Sequence, residues 1–169
     1  MQTRSDRSEL SPLRPREFFA QSWSGEGEWI APSWLRRLAR RPRWFSFTTA
    51  TTWLTDDVWL VHDALIWENG RTEYRSGMAR LTAENRIRLS YDDMLGGTDL
   101  WLRADGFAFS PYRILVAMPP LPLPLVIGAH DACEWDAPSQ ELIDTIRLRL
   151  FGLPIGHMVI RLHPVPPAS

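Results

Sequence analysis

Hydrophobic and polar residues alternate along residues 57–93 in the pattern that β-strands show when one face is buried. The first run, residues 57–68, ends at Asn69-Gly70, a dipeptide that favours a two-residue type I′ hairpin turn because both positions need positive φ. Such a turn predicts four cross-strand pairs: Trp67 with Thr72, Leu65 with Tyr74, Asp63 with Ser76, and Val61 with Met78. A second turn at residues 82–85 predicts three more: Met78 with Leu89, Ser76 with Tyr91, and Tyr74 with Asp93.

This predicted register places a row of polar residues on the apolar face of the sheet. The apolar members of that face are Trp59, Val61, Leu65, Trp67, Met78, Ile87 and Leu89. The polar row consists of Asp63, Ser76 and Tyr91, with Tyr74 and Asp93 beside it. The opposite face suits water and carries His62, Arg71, Glu73, Arg75, Arg86, Arg88 and Ser90. A carboxylate on the apolar side is costly unless a partner satisfies it, so the row is a candidate binding site.

The rest of the chain continues as short strands with little helix. Further strands are predicted at residues 22–31, 43–54, 98–104, 107–115, 125–135, 141–151 and 157–162, and short helices at residues 15–21 and 33–40. Asp105-Gly106 is a second strong hairpin signal. About ten strands joined to their neighbours in sequence are expected to close, because closure removes exposed edges. The sequence therefore predicts an all-β, up-and-down antiparallel barrel.

Two later strands contribute a second pair of acids. The shared apolar face of the Asp105-Gly106 hairpin consists of Leu100, Leu102, Ala104, Phe107 and Phe109. The next hairpin predicts that Trp135 pairs with Leu142, Cys133 with Asp144, and Asp131 with Ile146. Asp131 and Asp144 then point inward and, in a closed barrel, face the first polar row across the lumen. The alternative, which we favour for Asp144, is that the acid reaches solvent at the mouth.

Composition limits the classes of protein to consider. The chain has 169 residues and a formal net charge of −1, which predicts one domain at residues 15–165 after a disordered tail at 1–14 and does not suggest nucleic-acid binding. Cys133 is the only cysteine, so no intrachain disulfide can form, as is usual in a reducing compartment. No segment has the pattern of a signal peptide or a membrane span. We therefore expect a cytoplasmic monomer or homodimer.

Short motifs resemble a known superfamily. Residues 18–29 resemble the start of the calycins, the barrel superfamily of lipocalins and fatty-acid-binding proteins, where a helical turn closes one barrel end before a Gly-x-Trp strand. The chain is also similar to an uncharacterised family of small bacterial lipocalin-like proteins. The motifs that carry this similarity are Asp63, Gly70 and Arg75, then Asp93 and Gly96, and finally Phe151, Gly152 and Gly156. The resemblance covers about residues 18–162 and implies a ligand-binding barrel fold; the family has no assigned activity.

These observations favour a barrel that binds a small, mostly hydrophobic molecule in its lumen. The predicted ligand-binding residues are Trp59, Asp63, Leu65, Trp67, Tyr74, Ser76, Met78, Leu89, Tyr91, Asp93, Leu102, Phe109 and Asp131. One alternative is an enzyme, such as a cyclase, isomerase or hydratase, that uses Asp63 or Asp93 as acid or base. Another is a filled barrel whose polar row only fixes the register. No metal site or cofactor is predicted, because the register places His62, His130 and His157 on outer faces.

Overall fold

The structure is a computed structural model that describes residues 15–103, 105–117 and 121–165. The tail predicted at residues 1–14 lies outside the described residues, as do Ala104 and residues 118–120 of the proline-rich segment. For Leu102 the backbone is described but the side chain is not.

The described residues contain two short helices and eleven strands in one sheet. The helices are α1 (Pro15–Phe19) and α2 (Ser33–Ala39). The strands are β1 (Trp23–Ile30), β2 (Trp44–Thr55), β3 (Val58–Trp67), β4 (Thr72–Ala83), β5 (Arg86–Tyr91), β6 (Thr98–Arg103), β7 (Gly106–Phe109), β8 (Tyr112–Val116), β9 (Leu125–Asp136), β10 (Glu141–Leu150) and β11 (Leu153–Pro164). Neither helix in this part of the chain is long and apolar enough to cross a bilayer.

The sheet closes on itself. Antiparallel neighbours follow the order β10-β11-β1-β2-β3-β4-β5-β6-β7-β9, and β9 also pairs with β10. β7 and β8 share one position in the ring, since both pair with β9. The result is a closed, ten-strand, up-and-down antiparallel barrel, which confirms the predicted fold class.

One predicted strand, residues 107–115, is divided into β7 and β8. Pro111 lies at the break and has no backbone N–H to donate to a ladder, so regular pairing stops there. The irregular connection changes the parity of the strand. Phe107 and Phe109 are buried before the break, and Tyr112 is buried after it.

The predicted register of the β3–β4 hairpin is wrong by one residue. Leu65 pairs with Glu73, Asp63 with Arg75, and Val61 with Gly77. Gly70 has a φ of +81° whereas Asn69 does not have a positive φ, and the Trp67 N–H bonds to the Arg71 carbonyl at 2.9 Å. The loop is therefore three residues long, of the kind in which a glycine in the left-handed region follows an ordinary turn, and not the two-residue type I′ turn.

This shift reverses the two faces of β4. Arg75 and Glu73 border the interior, whereas Tyr74, Ser76 and Met78 point outward, and the Tyr74 side chain is 78% exposed. A β-bulge between Leu81 and Ala83 then shifts the β4–β5 pairing by one residue as well. The two errors cancel on β5, so that the predicted inward orientation of Ile87, Leu89 and Tyr91 is confirmed.

The barrel has a helix at each end. At one end α1 places Phe18 and Phe19 against rings of the wall, with Phe18 stacked on Trp23 at 5.2 Å and Phe19 on Trp59 at 5.8 Å. At the other end α2 connects β1 to β2 and buries Leu35 and Ala39. The helices thus limit the length of the interior.

Candidate functional site

A cavity of about 190 Å³ occupies the interior of the barrel. Most of its wall is aliphatic or aromatic and comes from inward positions of many strands. Its apolar residues include Phe18, Trp23, Trp29, Leu35, Phe47, Val61, Leu65, Trp67, Leu89, Phe109, Ile127, Ile146, Met158 and Ile160. Ligand sites in proteins typically combine such walls with a few convergent polar groups.

The structure brings most of the sequence-predicted residues to this cavity. Those that line it are Asp63, Leu65, Trp67, Leu89, Tyr91, Asp93, Phe109 and Asp131. Trp59 is fully buried but packs between Phe19 and Trp53 instead of lining the cavity. Tyr74, Ser76 and Met78 are excluded by their outward orientation, and the side chain of Leu102 lies outside the described part of the chain.

Arg75 and Asp93 form an ion pair at the cavity wall. Arg75 Nη2 donates to Asp93 Oδ1 at 3.0 Å, and Arg75 Nε lies 2.9 Å from Asp93 Oδ2. The guanidinium also lies 4.2 Å from the centre of the Tyr91 ring, which is close enough for a cation–π interaction. Gly77 makes room for that ring, since a Cβ there would lie 2.7 Å from a Tyr91 ring carbon. Arg75, Asp93 and Tyr91 thus form one polar cluster at the cavity wall.

Asp63 lies close to this group and is 5% exposed. Burial raises the pKa of its carboxyl, and the charge of Arg75 and hydrogen bonds with Thr49 and Tyr91 oppose that rise. Asp63 Oδ1 has no hydrogen-bond partner among the described residues. The cavity therefore contains an unused acceptor, which is unusual because buried polar atoms are generally paired.

A second acidic group lies on β9 and β10. The Tyr112 hydroxyl donates to Asp131 Oδ2 at 2.7 Å, and burial raises the pKa of Asp131 to about 7. Burial and the neighbouring Asp131 raise the pKa of Asp144 well above its ordinary value, while a hydrogen bond with Cys133 opposes the rise. Asp131 Oδ1 and Asp144 Oδ1 also lack hydrogen-bond partners in the described structure.

The predicted β9–β10 register is confirmed, with Cys133 opposite Asp144 and Asp131 opposite Ile146. The expectation that Asp144 reaches solvent at the mouth is wrong, because its carboxyl faces the cavity and its Oδ1 atom is buried. The two acidic groups also interact across the lumen. The charge of Asp63 contributes to the raised pKa of Asp144, and that of Arg75 lowers the pKa of both Asp131 and Asp144.

Sequence reasoning missed several polar residues of the cavity, among them Arg75, Tyr112 and Glu73. The predicted hairpin register places Arg75 on the outer face, because that register is wrong by one residue. Tyr112 was missed because the parity change at Pro111 was not recognised, although the proline itself is a signal. Glu73 lines the cavity and accepts two hydrogen bonds from the Arg41 guanidinium, at 2.8 Å and 2.9 Å. This pair connects β4 to the segment that follows α2.

The outward orientation predicted for the histidines is confirmed: His62 and His130 are exposed, and His157 alternates with Met158, which lines the cavity. Among the described residues, no group of three or more His, Cys, Asp or Glu side chains is arranged to hold a metal ion. The polar side chains that line the cavity include carboxyls, phenols, threonine hydroxyls, the Cys133 thiol and the guanidinium groups of Arg41 and Arg75.

Comparison with known proteins supports the fold. No protein-family model matches the chain, and no curated protein matches it. Among solved structures, Rv2717c from M. tuberculosis is similar, with a TM-score of 0.54 and 13% identity over 86% of this chain and 91% of that one. At such low identity the likeness concerns the fold alone.

Proposed function

We propose that this protein binds a small, mostly hydrophobic molecule in the barrel lumen, oriented by the inward acids and tyrosines. The observation that carries the proposal is the cavity of about 190 Å³ whose apolar wall surrounds Asp63, Asp131 and Asp144, each with an unpartnered carboxyl oxygen. A barrel filled for structural purposes would leave neither the space nor the unused acceptors. We retain the predictions of a calycin-type barrel, a single domain at residues 15–165, a cytoplasmic location and a monomer or homodimer.

The free energy of binding in such a site comes mainly from removing apolar ligand surface from water. Each methylene buried contributes about 0.8 kcal/mol, which corresponds to roughly a fourfold gain in affinity. Isothermal titration with straight-chain alcohols of increasing length should therefore show affinity rising in regular steps until the lumen is full. An affinity that does not depend on chain length would contradict the proposal.

A cavity-filling variant adds a matched control. Val61 lines the cavity, so Val61→Phe should reduce the affinity for the longest alcohols and shift the optimum to shorter ones. Ile66 lies on the same strand but is 45% exposed, so Ile66→Phe should leave the series unchanged. Equal effects of the two variants would indicate that the alcohols bind outside the barrel.

An enzyme is the second candidate, and one observation favours it. Asp131, with a pKa of about 7 and a bonded phenol, is a carboxyl suited to transfer protons near neutral pH. The sequence suggests Asp63 or Asp93 as the acid or base, and Asp93 is less suitable because its carboxylate is paired with the Arg75 guanidinium. If the protein is an enzyme, a small molecule that co-purifies with Asp131→Asn should be converted by the wild-type protein, as followed by chromatography and mass spectrometry.

A further inference from the structure

The unpartnered polar atoms that face the cavity are unevenly distributed. Three are carboxyl oxygens, namely Asp63 Oδ1, Asp131 Oδ1 and Asp144 Oδ1, and the side chains of Asp63 and Asp131 are only 5% and 7% exposed. These oxygens come from both sides of the lumen, with Asp63 on β3 and Asp131 and Asp144 on β9 and β10, and Asp63 influences Asp144 electrostatically across it. Three wall residues also have an unpartnered donor. The indole N–H groups of Trp29 and Trp67 are neutral, and Arg75 Nε, although it makes no well-aligned hydrogen bond, lies 2.9 Å from Asp93 Oδ2 in the ion pair.

Acidic residues also outnumber basic ones in the polar part of the lumen. The acids that face it are Asp63, Asp93, Asp131 and Asp144, and Arg75 is the basic residue that interacts with them. Arg75 is already engaged by Asp93 and by the Tyr91 ring. Burial raises the pKa of Asp63, Asp131 and Asp144, so these acids tend to hold protons in the empty cavity. An ammonium beside them would stabilise their ionised forms, whereas an anionic ligand would oppose ionisation.

On these grounds we propose that the ligand carries a primary ammonium group on an apolar body, with the ammonium donating to the free oxygens of Asp63, Asp131 and Asp144. This inference rests on the proposed function and names its ligand class. A primary ammonium has three N–H donors and no acceptor, which matches three unpartnered acceptors. Hydrogen bonds between ionised partners are also stronger than neutral ones.

The residues around the acids suit this arrangement. Tyr112 already donates to the other oxygen of Asp131, and Cys133 interacts in the same way with Asp144. Asp131 and Asp144 are thus each held by one protein donor and Asp63 by Thr49 and Tyr91, and each of the three carboxyls retains an unpartnered oxygen for the ligand. Leu65 and Leu89 belong to the apolar wall that would surround the body of the ligand.

Four probes of equal chain length separate charge, donors and apolar surface: octylamine, octyltrimethylammonium, 1-octanol and octanoate. Each is titrated into the full-length protein and followed by calorimetry and tryptophan fluorescence. Octylamine should bind most tightly. Octyltrimethylammonium, which has the charge but no N–H donor, and 1-octanol should each bind about tenfold or more weakly, and octanoate should bind weakest.

Variants link the preference to the acids. Asp131→Asn together with Asp144→Asn should weaken octylamine by about tenfold or more while 1-octanol changes by less than about threefold. Glu134→Gln is the matched control, because Glu134 lies on the same strand as Asp131 but is exposed. The four-probe comparison on the wild-type protein needs no variant, so misfolding of the double variant would not remove the test.

The outcomes distinguish the inference from the proposed function. If octanoate bound as tightly as octylamine, held by Arg75 or the two indole N–H groups, the ammonium inference would be overturned and the hydrophobic-ligand proposal would stand. If none of the four probes bound, both would be overturned. If octylamine and octyltrimethylammonium bound equally, the assignment of three donors would be wrong.

Discussion

Arg75 is the residue on which the polar side of the lumen most depends. Its guanidinium stays charged at every working pH, pairs with the Asp93 carboxylate and covers one face of the Tyr91 ring. Without Arg75, the carboxyls of Asp93 and Asp63 would have no positive charge beside them in a poorly solvated part of the barrel. Breaking such a pair by removing one partner is costly, because the remaining charge is uncompensated.

Arg75→Met should therefore lower the free energy of unfolding by about 2–3 kcal/mol, as measured by urea denaturation. Arg80 lies on the same strand and is exposed, so Arg80→Met should change the same quantity by less than about 0.5 kcal/mol. Similar losses in the two variants would mean that Arg75 does not have the inward role described above.

The acids of the lumen make stability depend on pH. Burial raises the pKa of Asp131 from an ordinary 3.8 to about 7 in the folded protein. The folded state therefore holds this proton to higher pH than the unfolded chain does. The stability linked to it is fully present below about pH 4 and is lost as pH rises through about 7.

Asp131→Asn removes this titration. The fall in the free energy of unfolding between about pH 4 and about pH 7 should become smaller in the variant, by an amount on the order of 2 kcal/mol. Burial also raises the pKa of Asp63 and of Asp144, so part of the fall in the free energy of unfolding should remain. If the free energy of unfolding of Asp131→Asn depended on pH in the same way as that of Glu134→Gln, the pKa of Asp131 would not be raised by folding.

At the scale of elements, the β3–β4 hairpin decides which side chains of β4 enter the barrel. Its loop has three residues and places one of them, Gly70, in the left-handed region at a φ of +81°. A Cβ at Gly70 would meet nothing within 4 Å, so a substitution there acts through the backbone alone. The loop thereby fixes Asp63 opposite Arg75.

Gly70→Ala should reduce stability by about 1 kcal/mol, because alanine is strained at positive φ. Glu68→Ala, in the same loop but without a positive φ, should change stability by less than about 0.5 kcal/mol in the same denaturation assay. A large loss at Glu68 and none at Gly70 would contradict the loop geometry.

The same loop shows how far the sequence could predict the site. The inward orientation of Asp63, Tyr91 and Asp131 follows from regular alternation, which a sequence displays directly. The orientation of Arg75 and Tyr112 depends on a one-residue difference in loop length and on the break at Pro111. Asn-Gly fits both a two-residue and a three-residue loop, and the choice between them is made by the packing of the whole sheet.

At the scale of the whole molecule, closure explains both the stability of the wall and the presence of a site. Closing ten strands removes the sheet edges and leaves an interior that side chains fill only in part. The ten positions of the ring and their up-and-down order could be predicted, because most strands are followed by a turn signal, whereas the division of residues 107–115 into β7 and β8 was not predicted. The size of the cavity could not, since it depends on the combined packing of side chains from nearly every strand and both helices.

The most direct test of the central claim is a methyl NMR titration of the protein with 1-octanol. If the lumen is the binding site, the methyl signals of Met158 and Ile127, which line the cavity, should shift and show contacts with the alcohol chain. The signals of Met78 and Ile66, which point outward, should not change. Shifts confined to Met78 and Ile66, or no shift at saturating alcohol, would contradict the claim that this barrel binds a hydrophobic molecule in its interior.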